Sequence, residues 1–153
     1  MPWERNYIAT TAAYLAFALL LQGRYEEADG FVTFSEETAA PDDLTSQFLW
    51  RQFRARLLSI HGKHDEAIAM AQRAVELTDE TEETESQGNS RLDLAHVYAR
   101  ASRTAEAETA FREAQEHFER KGIVVLVDEV RQRLEALSSG RRPSRTSPNT
   151  ARS

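Results

Sequence analysis

The chain has 153 residues, 41% of them hydrophobic, a length and composition that fit one domain with a packed core. It contains no cysteine, which excludes disulfides, thiolate metal ligands and a cysteine nucleophile and makes a reducing, cytoplasmic compartment the expectation. The formal net charge is -6, but Arg141, Arg142, Arg145 and Arg152 all fall in residues 138–153, where there is no acid, so the body holds 25 acids against 15 bases and repels nucleic-acid phosphate.

The first apolar run, Ile8 to Leu21, has 14 residues, short of the ~20 that span a bilayer. Its flanks also lack the small-residue cleavage pattern of an export signal, since Gln22-Gly23-Arg24 follows it. Within Tyr7 to Leu21 the apolar residues cover most of the helix circumference, so this helix needs cover on all sides, from a second copy of the chain or from an upstream domain. After Gly23 a second helix runs from about Tyr25 to Thr38 with Ala28, Phe31, Val32 and Phe34 facing inward. Pro41-Asp42-Asp43 then ends it and starts a third, because proline cannot continue a helix and aspartate accepts from free N-terminal amides.

The third helix, about Leu44 to Ile60, carries Phe48, Trp50, Phe53, Leu57 and Leu58 with Arg51, Arg54 and Arg56 among them. These arginines are expected to lie over apolar surface or to pair with acids. Past Gly62, a fourth helix bears Ala67, Ile68, Ala71, Ala74 and Leu77, an alanine-rich face that permits close approach. The base-free run Glu76 to Ser86 is solvated surface, since its oxygens lack the glycine-turn spacing of a calcium loop. Within it, Thr84 with Gln87 three residues on has the pattern of a capping box that starts the fifth helix. Gly88 weakens that helix by about 1 kcal/mol relative to alanine, through either close packing or mere tolerance. The sixth helix, about Ala105 to Lys121, buries Ala107, Ala110, Phe111, Ala114 and Phe118, and Gly122 ends it. Ile123 to Leu137 has one apolar stripe and one charged face, as a terminal cap requires, and residues 138–153 form an Arg, Ser and Pro tail expected to be disordered.

The turns between these helices repeat. Gly23-Arg24-Tyr25-Glu26-Glu27-Ala28, Gly62-Lys63-His64-Asp65-Glu66-Ala67 and Ser102-Arg103-Thr104-Ala105-Glu106-Ala107 are spaced by 39 and then 40 residues. Seven residues before each turn stands alanine (Ala16, Ala55, Ala95), four before a large apolar residue (Leu19, Leu58, Tyr98), and five after alanine again (Ala28, Ala67, Ala107). Three features in register over Tyr7 to Leu137 resemble the tetratricopeptide repeat, whose helix pairs keep small residues at their crossings. The spacing exceeds that family's usual 34 residues, and Ser102 replaces the third glycine. The resemblance implies an all-α, TPR-like superhelix over residues 1–137, with helix pairs at 7–38, 44–77 and 84–121 and a capping helix at 123–137. A narrower likeness is to the C-terminal helical repeats of bacterial signalling proteins that join an ATPase to a cyclase or DNA-binding domain. It rests on the first turn, Pro41-Asp42-Asp43, Trp50-Arg51 with Arg54-Ala55-Arg56, and Phe118-Glu119-Arg120-Lys121-Gly122. It implies a regulatory end alone, because the chain has no phosphate-binding glycine loop.

No catalytic, cofactor or metal residues are expected. His61 and His64 sit beside Asp65 on a turn and read as solvated, since nothing brings His96 or His117 to them. Serine, histidine and acid are present without a nucleophile motif to frame them. Helical repeats bind peptides along the first helix of each pair, which here selects Phe17, Gln52, Arg56, Leu92, His96 and Arg100 as the groove. That apolar and basic mixture suits an acidic, amphipathic peptide. The expected function is a non-catalytic scaffold for protein contacts in bacterial signalling, with no membrane or nucleic-acid partner. The alternative is a ligand-sensing domain linked to a cyclase or transcriptional regulator.

Overall fold

In a computed structural model, residues 2–140 are described, and Arg141, Arg142, Arg145 and Arg152 of the expected tail lie outside them. The described residues form seven helices: α1 (Pro2–Leu21), α2 (Tyr25–Thr38), α3 (Leu44–Ile60), α4 (His64–Asp79), α5 (Thr84–Arg100), α6 (Thr104–Lys121) and α7 (Val124–Ser138). Among them there is no strand, and the chain is an all-α helical repeat of three pairs and a cap. The pairs α1–α2, α3–α4 and α5–α6 pack internally, and α3, α5 and α7 each lean on the pair before. No helix of the described residues is long and apolar enough to cross a membrane.

The three turns are built alike. The Arg24 amide donates to the Leu19 carbonyl at 2.9 Å and Gly23 to Leu20 at 3.0 Å; Lys63 donates to Leu58 at 2.9 Å and Gly62 to Ser59 at 3.0 Å. Arg103 donates to Tyr98 at 2.9 Å and Ser102 to Ala99 at 3.0 Å, so the third turn closes without glycine. Such a paired closure requires a left-handed residue. Gly23 (φ 77), Gly62 (φ 79) and Ser102 (φ 61) all supply it.

Small residues set how closely the helices approach. Ala16, Ala55, Ala95, Ala28, Ala67 and Ala107 are all fully buried, one on each helix of the three pairs. Around them lie two apolar clusters. One joins α1, α2 and much of α3 through Val32, Phe48, Trp50 and Phe53, and the other runs from Ala55 and Ile68 to Phe111, Phe118 and Val130. Gly88 belongs to the second, because a Cβ there would come 2.6 Å from Phe118 Cε1; close packing, not tolerance, explains this glycine.

Polar bonds cross each joint between pairs. Thr10 and Ser46 share a hydrogen bond of 2.7 Å at the first joint, and Thr78 and Ser90 one of 2.8 Å at the second. An arginine of the later pair also reaches back at each: Arg54 to Asp29 and Glu36, and Arg91 to Asp79 at 2.8 Å. Arg51 instead lies 4.2 Å from the Trp50 ring and donates to Gln47. With Arg56 bonded to Asp93 of α5, all three arginines of α3 are engaged within the fold.

Local details differ from the sequence expectation at three points, one being that Phe31 and Phe34, expected to face inward, are 38% and 48% exposed. Helix α1 begins at Pro2, five residues before the expected start, because proline suits a first helical turn. Asp43 caps α3 as expected, accepting from the Ser46 amide at 3.3 Å. The capping box at Thr84 does not form. Glu83 occupies the cap position without its side chain accepting from a backbone amide, and Gln87 turns back to donate to the Thr81 carbonyl at 2.9 Å.

Candidate binding groove

The first helices of successive pairs alternate with their partners, so α1, α3 and α5 line one side of the stack, and α7 extends it. The concavity between them has a volume of about 830 Å³. Phe17, Gln52, Arg56, Leu92, His96 and Arg100 all line it. One end is apolar. There Phe17 stacks on Phe53 with ring centroids 4.9 Å apart, beside Leu20, Leu21, Tyr25 and Ile60. The other end is polar and includes Asn89, Glu129, Arg100 and Arg133.

A buried polar cluster divides the two. Asp93 is 6% exposed and accepts from Arg56 Nη1 at 2.6 Å and from Gln52 Nε2 at 2.8 Å. Burial holds the Asp93 carboxyl above the usual carboxylate range, an effect that the Arg56 guanidinium and Gln52 amide only partly offset. Removing Arg56 alone would leave that carboxylate uncompensated, which costs about 3–5 kcal/mol at a buried pair. Arg56 is thus a brace for the fold, and its charge is already answered. Gln52 fixes Asp93 with its amide nitrogen, and Gln52 Oε1 is buried without a partner among the described residues.

His96 stands beside this cluster, edge-on to Phe111 at 5.3 Å between ring centroids. Burial first, and then the positive charges of Arg56 and Arg133, push its imidazole down from 6.5 to about 3. It is neutral at physiological pH. Arg100 and Arg133 make no ion pair among the described residues and are the groove's free cations.

The sequence pattern does not single out Asp93 or Arg133 as groove residues. Asp93 lies 41 residues from Gln52, so no local spacing announces their bond; an aspartate inside Leu92-Asp93-Leu94-Ala95 was the one available sign. Arg133 falls on the charged face of α7, which reads as solvent surface until α7 is seen to wall the groove. The remaining histidines do not converge. His61 Nδ1 lies 2.7 Å from the Leu57 carbonyl, His117 Nδ1 lies 2.8 Å from that of Glu113, and His64 is half-buried. Among the described residues no three histidine or acidic side chains could hold a metal ion together.

A family model for the tetratricopeptide repeat matches residues 48–120, from α3 through α6. No curated protein and no solved structure matches the chain.

Proposed function

We propose that this tetratricopeptide repeat protein is a non-catalytic scaffold whose concave groove binds an acidic, amphipathic peptide. The observation that carries the reading is that one groove brings aromatic residues of α1 and α2 together with arginines of α5 and α7. Phe17 and Tyr25 offer rigid aromatic faces for apolar side chains, and Arg100 and Arg133 offer unspent charge for carboxylates. His96 and Leu92 fill the middle, where a neutral imidazole can hydrogen-bond a passing main chain. A base held near 3 is far from the range useful for proton transfer at neutral pH, which favours binding over catalysis. The proposed setting is cytoplasmic, in a bacterial signalling assembly, on the strength of the absent cysteines and the narrower sequence likeness.

Peptides selected from a random library on the immobilised protein test this. Enrichment of Asp and Glu next to aromatic residues is expected. Arg100→Glu combined with Arg133→Glu should then weaken the selected peptides at least about tenfold, since two charge contacts turn repulsive. Arg56 is left intact, because its loss would disturb Asp93. Unchanged affinity in the double variant, with its melting curve also unchanged, would sink the groove assignment.

A further inference from the structure

A second concave surface, of about 500 Å³, lies on the outer side of the first pair, between α1 and α2. From α1 it is lined by Tyr7, Ile8, Thr11, Ala12 and Leu15, which stand 16, 15, 12, 11 and 8 residues before the turn residue Gly23. Measured the same way from Gly62 and Ser102, each of these positions joins pair to pair in at least one of the two later pairs. Position 16 is Ser46, bonded to Thr10; position 15 is Gln87, bonded to Thr78 and Thr81; position 12 is Ser90, bonded to Thr78. Position 11 is Arg91, paired with Asp79, and position 8 is Arg54, paired with Asp29. The outer face of α1 is therefore a stacking face of this repeat with nothing among the described residues stacked on it.

Its chemistry says what covers it. Every joint inside the array is crossed by an arginine reaching back to an acid of the preceding pair, but α1 carries Ala12 and Leu15 where those arginines stand. A preceding helix pair would find no charge to answer. The one charged lining residue, Glu27, is spent on Arg24 at 2.7 Å. An uncharged face is complementary to itself, and a chain of net charge -6 can meet another copy there without like charges opposed. Area agrees. Trp3, Tyr7, Ile8, Leu15, Phe31 and Phe34 are 38% to 69% exposed and, at ~200 Å² for a whole large side chain, present about 600 Å² per chain, the lower bound of the ~600–1,000 Å² per partner of a stable interface.

We infer that this face is a self-association surface, on which a second copy of the chain packs α1 against α1 across a twofold axis. Sedimentation velocity of the full chain over the micromolar range should show the 17.4 kDa species giving way to one of twice that mass. Leu15→Asp, at a side chain 46% exposed in one chain, should raise the dimer dissociation constant at least about tenfold while circular dichroism stays unchanged. Added NaCl should leave the dimer intact, because no ion pair crosses it.

A second variant keeps the test independent of Leu15. Thr11 is exposed and central to the stripe Tyr7–Thr11–Leu15, so Thr11→Cys should form a disulfide-linked dimer in air. Arg112→Cys, on the exposed face of α6, should not do so at a comparable rate. A chain that remains monomeric throughout the micromolar range would overturn the inference and leave the face to a different partner, such as a preceding helix pair. Dimers that are indifferent to Leu15→Asp and show no preference for linkage at Thr11→Cys would overturn it as well.

Discussion

Ser102→Gly alters a single backbone conformation, which makes its effect calculable. Ser102 holds φ 61 in the turn where Gly23 and Gly62 hold 77 and 79, with the same two closing hydrogen bonds in each case. A left-handed conformation costs an L residue about 1–2 kcal/mol. Glycine returns about 0.4–1 kcal/mol of that by enlarging the unfolded ensemble. The balance is a stabilisation of roughly 0.5–1 kcal/mol, or a melting temperature higher by about 2–4 °C per kcal/mol in a chain of this size. Urea and thermal unfolding followed by circular dichroism measure it. Gly62→Ala is the mirror experiment, since a Cβ there meets nothing within 4 Å and adds no clash to the same two terms; it should lose a similar amount. A Ser102→Gly protein no more stable than the parent, beside a destabilised Gly62→Ala, would refute the reasoning by showing that the serine turn carries no strain.

Two further outcomes follow from the packing and charge described above. Gly88→Ala gains helix propensity of about 1 kcal/mol, yet its Cβ meets the fully buried Phe118 ring at 2.6 Å, and overpacking costs about 1–3 kcal/mol. Net destabilisation is expected in urea unfolding, and a more stable Gly88→Ala would show that the ring can give way. His96 has its folded pKa lowered from 6.5 to about 3, so in that window the unfolded chain binds the extra proton and stability falls as pH falls, by up to about 1.4 kcal/mol per pH unit. His96→Gln should flatten this slope between those limits, and an unaltered pH dependence of urea midpoints would count against it.

The scaffold was legible because it repeats. Three copies in register turned Ala16, Ala55 and Ala95 from ordinary residues into a pattern, and all three are at zero exposure. Repetition also revealed Ser102 as a glycine position, although its φ had to come from the structure. What escaped were contacts made between repeats. Asp93 answers Arg56 from the next pair, so Arg56 reads in the sequence as an available groove cation when its charge is already neutralised. Gln87 matched a local capping pattern, but the Thr81 carbonyl in the preceding loop offered it a competing acceptor. Gly88 looked equally like tolerance or packing until Phe118, thirty residues on, was seen against it.

Helix α3 belongs to both apolar clusters, giving Phe48, Trp50 and Phe53 to one and Ala55 to the other, while Met70 of α4 touches both. The two clusters therefore share a wall. In a linear array whose stability is a sum of repeat and neighbour terms, such a wall makes the neighbour term large, and losing either end pair strips apolar surface from the middle one. Unfolding is then cooperative across the array, and the two sides of the proposed groove, one built on each cluster, form or melt together.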